Sequence, residues 1–171
     1  MTAIDGVLTF RHDGSADSRG SFTKVFRNDR GSLNGLTFAE CYYSVSRKGV
    51  LRGLHFQEPP FDHLKLVTCI EGEAFDCVVD LRRQSPSYGR AMSVTLAAGD
   101  AILIPSGCAH GFCAVSEETL LLYHVTTVHA PAHDAGIHWT SADVPWPYRE
   151  PIVSDRDRSL PHLRDYNSPF T

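Results

Sequence analysis

The run GVLRGLHFQEPPFDHLKL, Gly49 to Leu66, sets Arg52, His55, His63 and Lys65 among leucines, phenylalanines and a Pro-Pro pair. A solvated loop has little use for the apolar residues, and a core rejects charges that are neither paired nor employed. The residue types point to employment. Imidazole titrates near neutrality and can take or give a proton there. An ammonium held against an apolar wall can steady negative charge developing on an oxygen. Histidine nitrogens also bind metals, and His55, His63 and His110 together would supply three ligands. Either chemistry needs these side chains to converge on one cavity, so the elements that carry them decide the matter.

Period-two patterning dominates the chain. Lys65 to Ile70 alternates, Glu71-Gly72 offers a turn, and Glu73 to Leu81 alternates again, which reads as a β-hairpin. Ala91 to Leu96 and Ala101 to Ile104 are strands around a turn at Ala98-Gly99-Asp100, and Pro105 stops the second. Leu120 to Thr127 is a long apolar strand; Gly20 to Phe26 and Thr37 to Val45 are further strands. Helical periodicity is weak. Five of the ten prolines lie from Pro145 onward, which predicts an extended tail with one helical turn opened by Ser154 as N-cap. The expected class is all-β, a sandwich or barrel with short peripheral helices. One domain spans residues 1–171, and residues 145–171 form a tail folding back on it.

Strand parity adds a condition. His63, Lys65, Val67 and Cys69 share one face, and Tyr123 shares a face with Leu121 and Val125. Arg52 and His55 are three apart, so a regular strand would send them to opposite faces. If both serve one pocket, a bulge must intervene, and Gly53 is the natural place.

Composition excludes several functions. The 171 residues are 42% hydrophobic and 21% charged, with a net charge of −4, which provides no field to draw nucleic acid or an anionic membrane. No apolar run is long enough to span a bilayer, and the N-terminus lacks the pattern of a signal peptide. The cysteines number five with no CxxC pair, which argues against a zinc ribbon and for reduced thiols in a cytoplasmic protein.

Gly99, Pro105, Gly107 and His110 fit the form G-x5-P-x-G-x2-H, which resembles the second signature motif of the cupin superfamily. The His-x-His of the first cupin motif is absent, so the metal-ligand set of metal-dependent cupins is broken. A closer resemblance covers Arg19 to Asp157. The segments Arg19-Gly-Ser-Phe22-Thr-Lys24, Gly49-Val-Leu-Arg52-Gly-Leu-His55-Phe-Gln57, Lys65-Leu-Val, Phe75 to Arg82, Ser85 to Gly89, Ile104 to Phe112, Tyr123, Gly136 to Trp139 and Ser154 to Asp157 are similar, in order and spacing, to the dTDP-4-dehydrorhamnose 3,5-epimerase family. The resemblance implies a jelly-roll cupin fold, a homodimer, and no metal or other cofactor. It also implies a substrate that is a nucleotide-linked 4-keto-6-deoxyhexose inverted at C3, C5 or both, in deoxysugar biosynthesis.

It further implies roles. His55 matches the base that takes the proton beside the ketone, and Asp157 the carboxylate behind it, with Asp155 a nearby rival. Lys65 matches the cation at the ketone oxygen, and Tyr123 the acid on the opposite face. Arg52 and Arg19 match residues that hold the diphosphate, with Arg19 reaching over from the neighbouring subunit. Phe22, Lys24, Gln57, His63, His110 and His129 fall on the substrate-binding side. The chemistry wants such a set: a base near neutral pKa, a carboxylate fixing its tautomer, a cation for the enolate, and an acid opposite for inversion.

Three departures concern the carrier nucleotide. Lys24 stands where the dTDP-specific members usually carry Glu; Glu40-Cys41-Tyr42-Tyr43-Ser44 replaces a Gln-Asp-Asn-His-Ser type pattern; Val128-His129-Ala130-Pro131 replaces Tyr-Tyr-x-Pro, whose aromatic stacks on thymine. CDP- and GDP-linked sugars therefore stand beside dTDP-linked ones. The rival readings are a metal-dependent cupin oxygenase and a sugar-nucleotide isomerase or binding relative.

Overall fold

The computed structural model of the chain describes residues 3–29 and 31–171. Two five-stranded antiparallel sheets face each other. The first has the order β1 (Leu8–Arg11), β9 (Asp100–Ile104), β6 (Lys65–Glu71), β11 (Glu118–Val125), β4 (Glu40–Arg47). The second has the order β12 (Asp134–Gly136), β5 (Leu51–Gln57), β10 (Cys108–Ala114), β7 (Glu73–Asp80), β8 (Ala91–Ala97). A separate hairpin of β2 (Gly14–Asp17) and β3 (Gly20–Thr23) stands out into solvent. From β4 onward the chain passes repeatedly from one sheet to the other, and the architecture is a jelly-roll sandwich.

Burial explains the patterning. Val67, Ile102, Leu121, Val78, Leu96 and Phe112 meet between the sheets. Leu54, Phe56, Val79, Ala109 and Ile137 point to the back of the second sheet, where Trp146, Leu163, Tyr166 and Phe170 of the tail cover them. Both faces of this sheet are thus covered, which is why β10 is buried at every position rather than at alternate ones. The tail's only α-helix among the described residues, α1 (Asp155–Arg158), starts as the sequence predicts: Ser154 Oγ accepts a hydrogen bond from the Asp157 N–H at 3.1 Å.

Three expectations are corrected. β6 and β7 are not a hairpin: β6 pairs with β9 and β11, whereas β7 pairs with β8 and β10 in the opposite sheet. Gly72 makes the crossing with φ +77, packed so tightly that a Cβ would lie 2.2 Å from the Glu118 carbonyl oxygen. The strand expected over Gly20 to Phe26 stops at Thr23, because Phe26 turns in against Phe38 and His124. The strand expected from Thr37 begins at Glu40 and runs on to Arg47. All five cysteines are free thiols, four buried and Cys41 exposed. No helix among the described residues is long and apolar enough to cross a membrane.

Candidate active site

A cavity of about 640 Å³ opens between the sheets, walled by β5 and β10 on one side, by β4, β6 and β11 on the other, and by α1 at its edge. Its construction begins at Gly53. His55 lies opposite His110, and Arg52 opposite Phe112, so three steps on β5 match two on β10. The extra residue is a bulge that brings Arg52 and His55 onto the same cavity. Only glycine fits there: φ is +129, and a Cβ would lie 2.5 Å from the Cα of Gly111.

Asp157 reads the bulge. One carboxylate oxygen accepts the Gly53 N–H at 3.1 Å, and the other lies 2.7 Å from His55 Nε2. Burial alone would raise the Asp157 carboxyl, but the bonds from His55 and Gly53 and the nearby charges of His55 and Arg156 outweigh it and hold the group below its ordinary value. An ionised Asp157 draws the ring proton to Nε2 and leaves Nδ1 with the basic lone pair. Asp155 is exposed at the helix start, so of the two tail aspartates it is Asp157 that pairs with His55.

Across the cavity Lys65 opens β6. Its ammonium is buried and has no hydrogen-bond partner among the described residues. Burial pushes its pKa down to about 8, against the pull of Asp76 and Asp134. His63 sits beside it; burial, then the charges of Lys65 and His129, lower it to about 3, so it is a neutral imidazole. Tyr123 on β11 is buried, with its hydroxyl 3.2 Å from Ser44 Oγ, and its pKa is raised chiefly by burial. His110 faces the same space, its Nε2 2.8 Å from a carboxylate oxygen of fully buried Asp76.

The other site residues divide. Arg52 lines the cavity, its Nε donating to Ser46 Oγ at 3.0 Å. Gln57 lines it too, but its amide is engaged by backbone: Nε2 donates to the Phe61 carbonyl at 2.8 Å, and Oε1 accepts from the Ala130 N–H at 2.6 Å. His129 lines it, with its backbone N–H bound to Glu40 Oε2 at 2.7 Å. Two positions where the chain departs from the family pattern therefore touch each other. Arg19 and Phe22 project from the β2–β3 hairpin, Phe22 64% exposed and Arg19 paired, among the described residues, only with Asp17 of the same hairpin. Lys24 lines a second cavity, between β1 and the segment 24–33. None of these three borders the main cavity within one chain.

Sequence reasoning gave no role to Asp76, Tyr42 or Ser44. The signals were present: Asp76 is an acid inside an otherwise apolar strand, and alternation places Glu40, Tyr42 and Ser44 on one face of β4.

A jelly-roll pocket with a carboxylate-backed imidazole on one wall and a buried ammonium and phenol on the other has the groups to take a proton on one side, steady charge on an oxygen and give a proton on the other. The comparisons specify the kind. A family model described as dTDP-4-dehydrorhamnose 3,5-epimerase matches residues 1–165. The chain is 39% identical to the dTDP-4-dehydrorhamnose 3,5-epimerase of Shigella flexneri over 91% of this chain and 90% of that one. It is also 39% identical to that of Methanothermobacter thermautotrophicus, over 96% and 93%. Among solved structures it superposes on the Bacillus anthracis enzyme with TDP and pyrophosphate bound, at a TM-score of 0.89 and 34% identity over 95% of this chain and 97% of that one. The Legionella pneumophila enzyme in complex with dTDP-4-keto-L-rhamnose gives 0.88 and 32%, over 97% and 92%. The chain belongs to the dTDP-4-dehydrorhamnose 3,5-epimerase family.

Proposed function

We propose that this chain inverts a nucleotide-linked 4-keto-6-deoxyhexose at C3, C5 or both in deoxysugar biosynthesis, with His55, Asp157, Lys65 and Tyr123 as its working groups. The observation that carries the reading is the 2.7 Å contact of His55 Nε2 with Asp157, in one cavity with Lys65 and Tyr123. His55 Nδ1 takes the proton from the carbon beside the ketone. The electron pair moves into the C–C bond and the ketone becomes an enolate, whose oxygen Lys65 holds. Tyr123 gives its hydroxyl proton to the opposite face of the same carbon, the ketone re-forms, and the stereocentre is inverted. Phenolate and imidazolium then return to their starting states by exchange with solvent. Asp157 keeps the imidazolium stable and oriented throughout. Arg52 meets the diphosphate, while neutral His63, His110 and Gln57 border the sugar.

The active assembly is a homodimer. The outer face of β4 leaves Tyr43 and Val45 exposed, and the projecting hairpin carries Arg19 and Phe22 where a neighbouring subunit could use them. The free thiols suit a reducing compartment such as the cytoplasm.

The test is incubation with a nucleoside-diphosphate 4-keto-6-deoxyglucose in deuterated water. Wild-type protein should place deuterium at C3, C5 or both, and His55→Asn should not. The carrier is tested by thermal shift with dTDP, CDP, GDP and UDP. The linked Glu40 and His129 should let a carrier other than dTDP stabilise the protein at least as well; a response to dTDP alone contradicts an altered nucleoside pocket.

A further inference from the structure

Tyr42 belongs to none of the roles above, yet it touches the group on which inversion depends. It lies directly opposite Tyr123 in the register of β4 and β11. The two rings stack with centroids 4.8 Å apart and planes within 13°. Tyr42 is the outer member at 41% exposed, and Tyr123 the inner one at 6%. On another side the ring of His110 meets Tyr123 edge-on at 6.3 Å, and Ser44, two residues along β4 from Tyr42, is hydrogen-bonded to the Tyr123 hydroxyl. The inner phenol is therefore held by a stacked ring, an edge and a hydroxyl.

We propose that Tyr42 is a positioning residue for the proton that completes inversion: its stacked ring fixes Tyr123 in the orientation from which the hydroxyl reaches the enolate carbon. This rests on the reading of Tyr123 as the acid. The physical reason is geometric. A proton transfer tolerates little displacement of its donor, and an aromatic ring beside open space turns about its χ angles unless something flat lies against it. Edge strand β4 ends its sheet, so among the described residues no further strand holds this side of Tyr123. Tyr42 also keeps water from the phenol, consistent with the raised Tyr123 pKa that burial produces.

The consequence separates two events that a single rate would merge. Removal of the carbon-bound proton belongs to His55. In deuterated water, an imidazolium that exchanges its proton and returns a deuteron to the same face gives labelling without inversion. Delivery by Tyr123 gives labelling with inversion. The ratio of inverted to merely exchanged sugar therefore reports how delivery by Tyr123 competes with return from His55, and it is independent of how much protein is folded, because both products arise in the same active sites.

The experiment measures that ratio by proton NMR for wild type, Tyr42→Leu, Tyr42→Phe, Tyr123→Phe and His55→Asn. The substrate is the nucleoside-diphosphate 4-keto-6-deoxyglucose whose nucleoside gives the largest thermal shift. Tyr42→Leu should lower the ratio about tenfold while exchange continues, and Tyr42→Phe, which keeps the flat ring, should restore it to within about twofold of wild type. Tyr123→Phe sets the floor: exchange without inversion. Three results overturn the proposal: a wild-type ratio in Tyr42→Leu, a raised KM with the ratio intact, or a fall in Tyr42→Phe as large as in Tyr42→Leu. If instead His55→Asn exchanges as wild type does, the reading of the site itself fails, and the two failures are distinct.

Discussion

At the residue scale the proposed mechanism requires each titratable group to hold the charge its task needs. Asp157 is held ionised and bound to His55 Nε2. Asp157→Asn keeps the shape but loses the charge that stabilises imidazolium, so kcat should fall by about 10³-fold or more with little change in KM. Steady-state kinetics check this. On the proposed mechanism Lys65 acts as the ammonium, so its pKa of about 8 should set the upper limit of activity. kcat/KM, which reports the free enzyme, should decline as pH rises through about 8. Unfolding is not the cause of that decline. A lysine depressed in the folded state leaves the unfolded chain binding more protons between the two pKa values, so its contribution to stability increases with pH there. His63 acts in the acid range with the same sign. Its folded pKa of about 3 lies below the ordinary 6.5, so its contribution is complete above 6.5 and is lost as pH falls toward 3. Thermal melts against pH should show this loss, with a slope of up to about 1.4 kcal/mol per pH unit that His63→Gln removes.

At the element scale the key feature is the β5 bulge, because it places Arg52 and His55 in one cavity. Gly53→Ala would drive a methyl group into the Gly111 backbone and confine a residue at φ +129 to a region that side chains avoid. Urea denaturation should show a loss of about 2–3 kcal/mol, and kcat should fall along with it as His55 leaves Asp157. The bulge was legible in the sequence because two residues of pocket type stood three apart around a glycine. The cap of α1 was legible for a similar local reason: Ser154 precedes acidic residues in a chain with little other helix. The β6–β7 hairpin was misread because alternation states which face a residue takes, not which strand it pairs with. A turn that reverses a strand within its sheet and one that crosses the sandwich carry the same residue types. The difference at Gly72 is the Glu118 carbonyl, far away in sequence. The same limit hid Asp76 and Tyr42. Their partners His110 and Tyr123 lie on neighbouring strands, and only register brings them together.

At the scale of the whole molecule, most of the site lies within one chain, while Arg19 and Phe22 stand outside its cavity on an exposed hairpin. If Arg19 serves the neighbouring subunit, mixing two inactive variants will restore function. A heterodimer of Arg19→Ala and His55→Asn has one pocket with its own His55 and the partner's intact arginine. Random reassortment at equal concentrations should then recover about a quarter of wild-type activity, because half of the dimers are mixed and each has one complete site. No recovery, with heterodimers demonstrated, would contradict a role for Arg19 in the neighbouring subunit's pocket. The most direct test of the account is a crystal structure of the protein with a nucleoside-diphosphate 4-keto sugar bound. The account predicts the ketone oxygen within hydrogen-bond distance of Lys65 Nζ, with His55 Nδ1 and the Tyr123 hydroxyl on opposite faces of the carbon between them. A sugar bound with its ketone turned away from Lys65, or with both groups on one face, would contradict it.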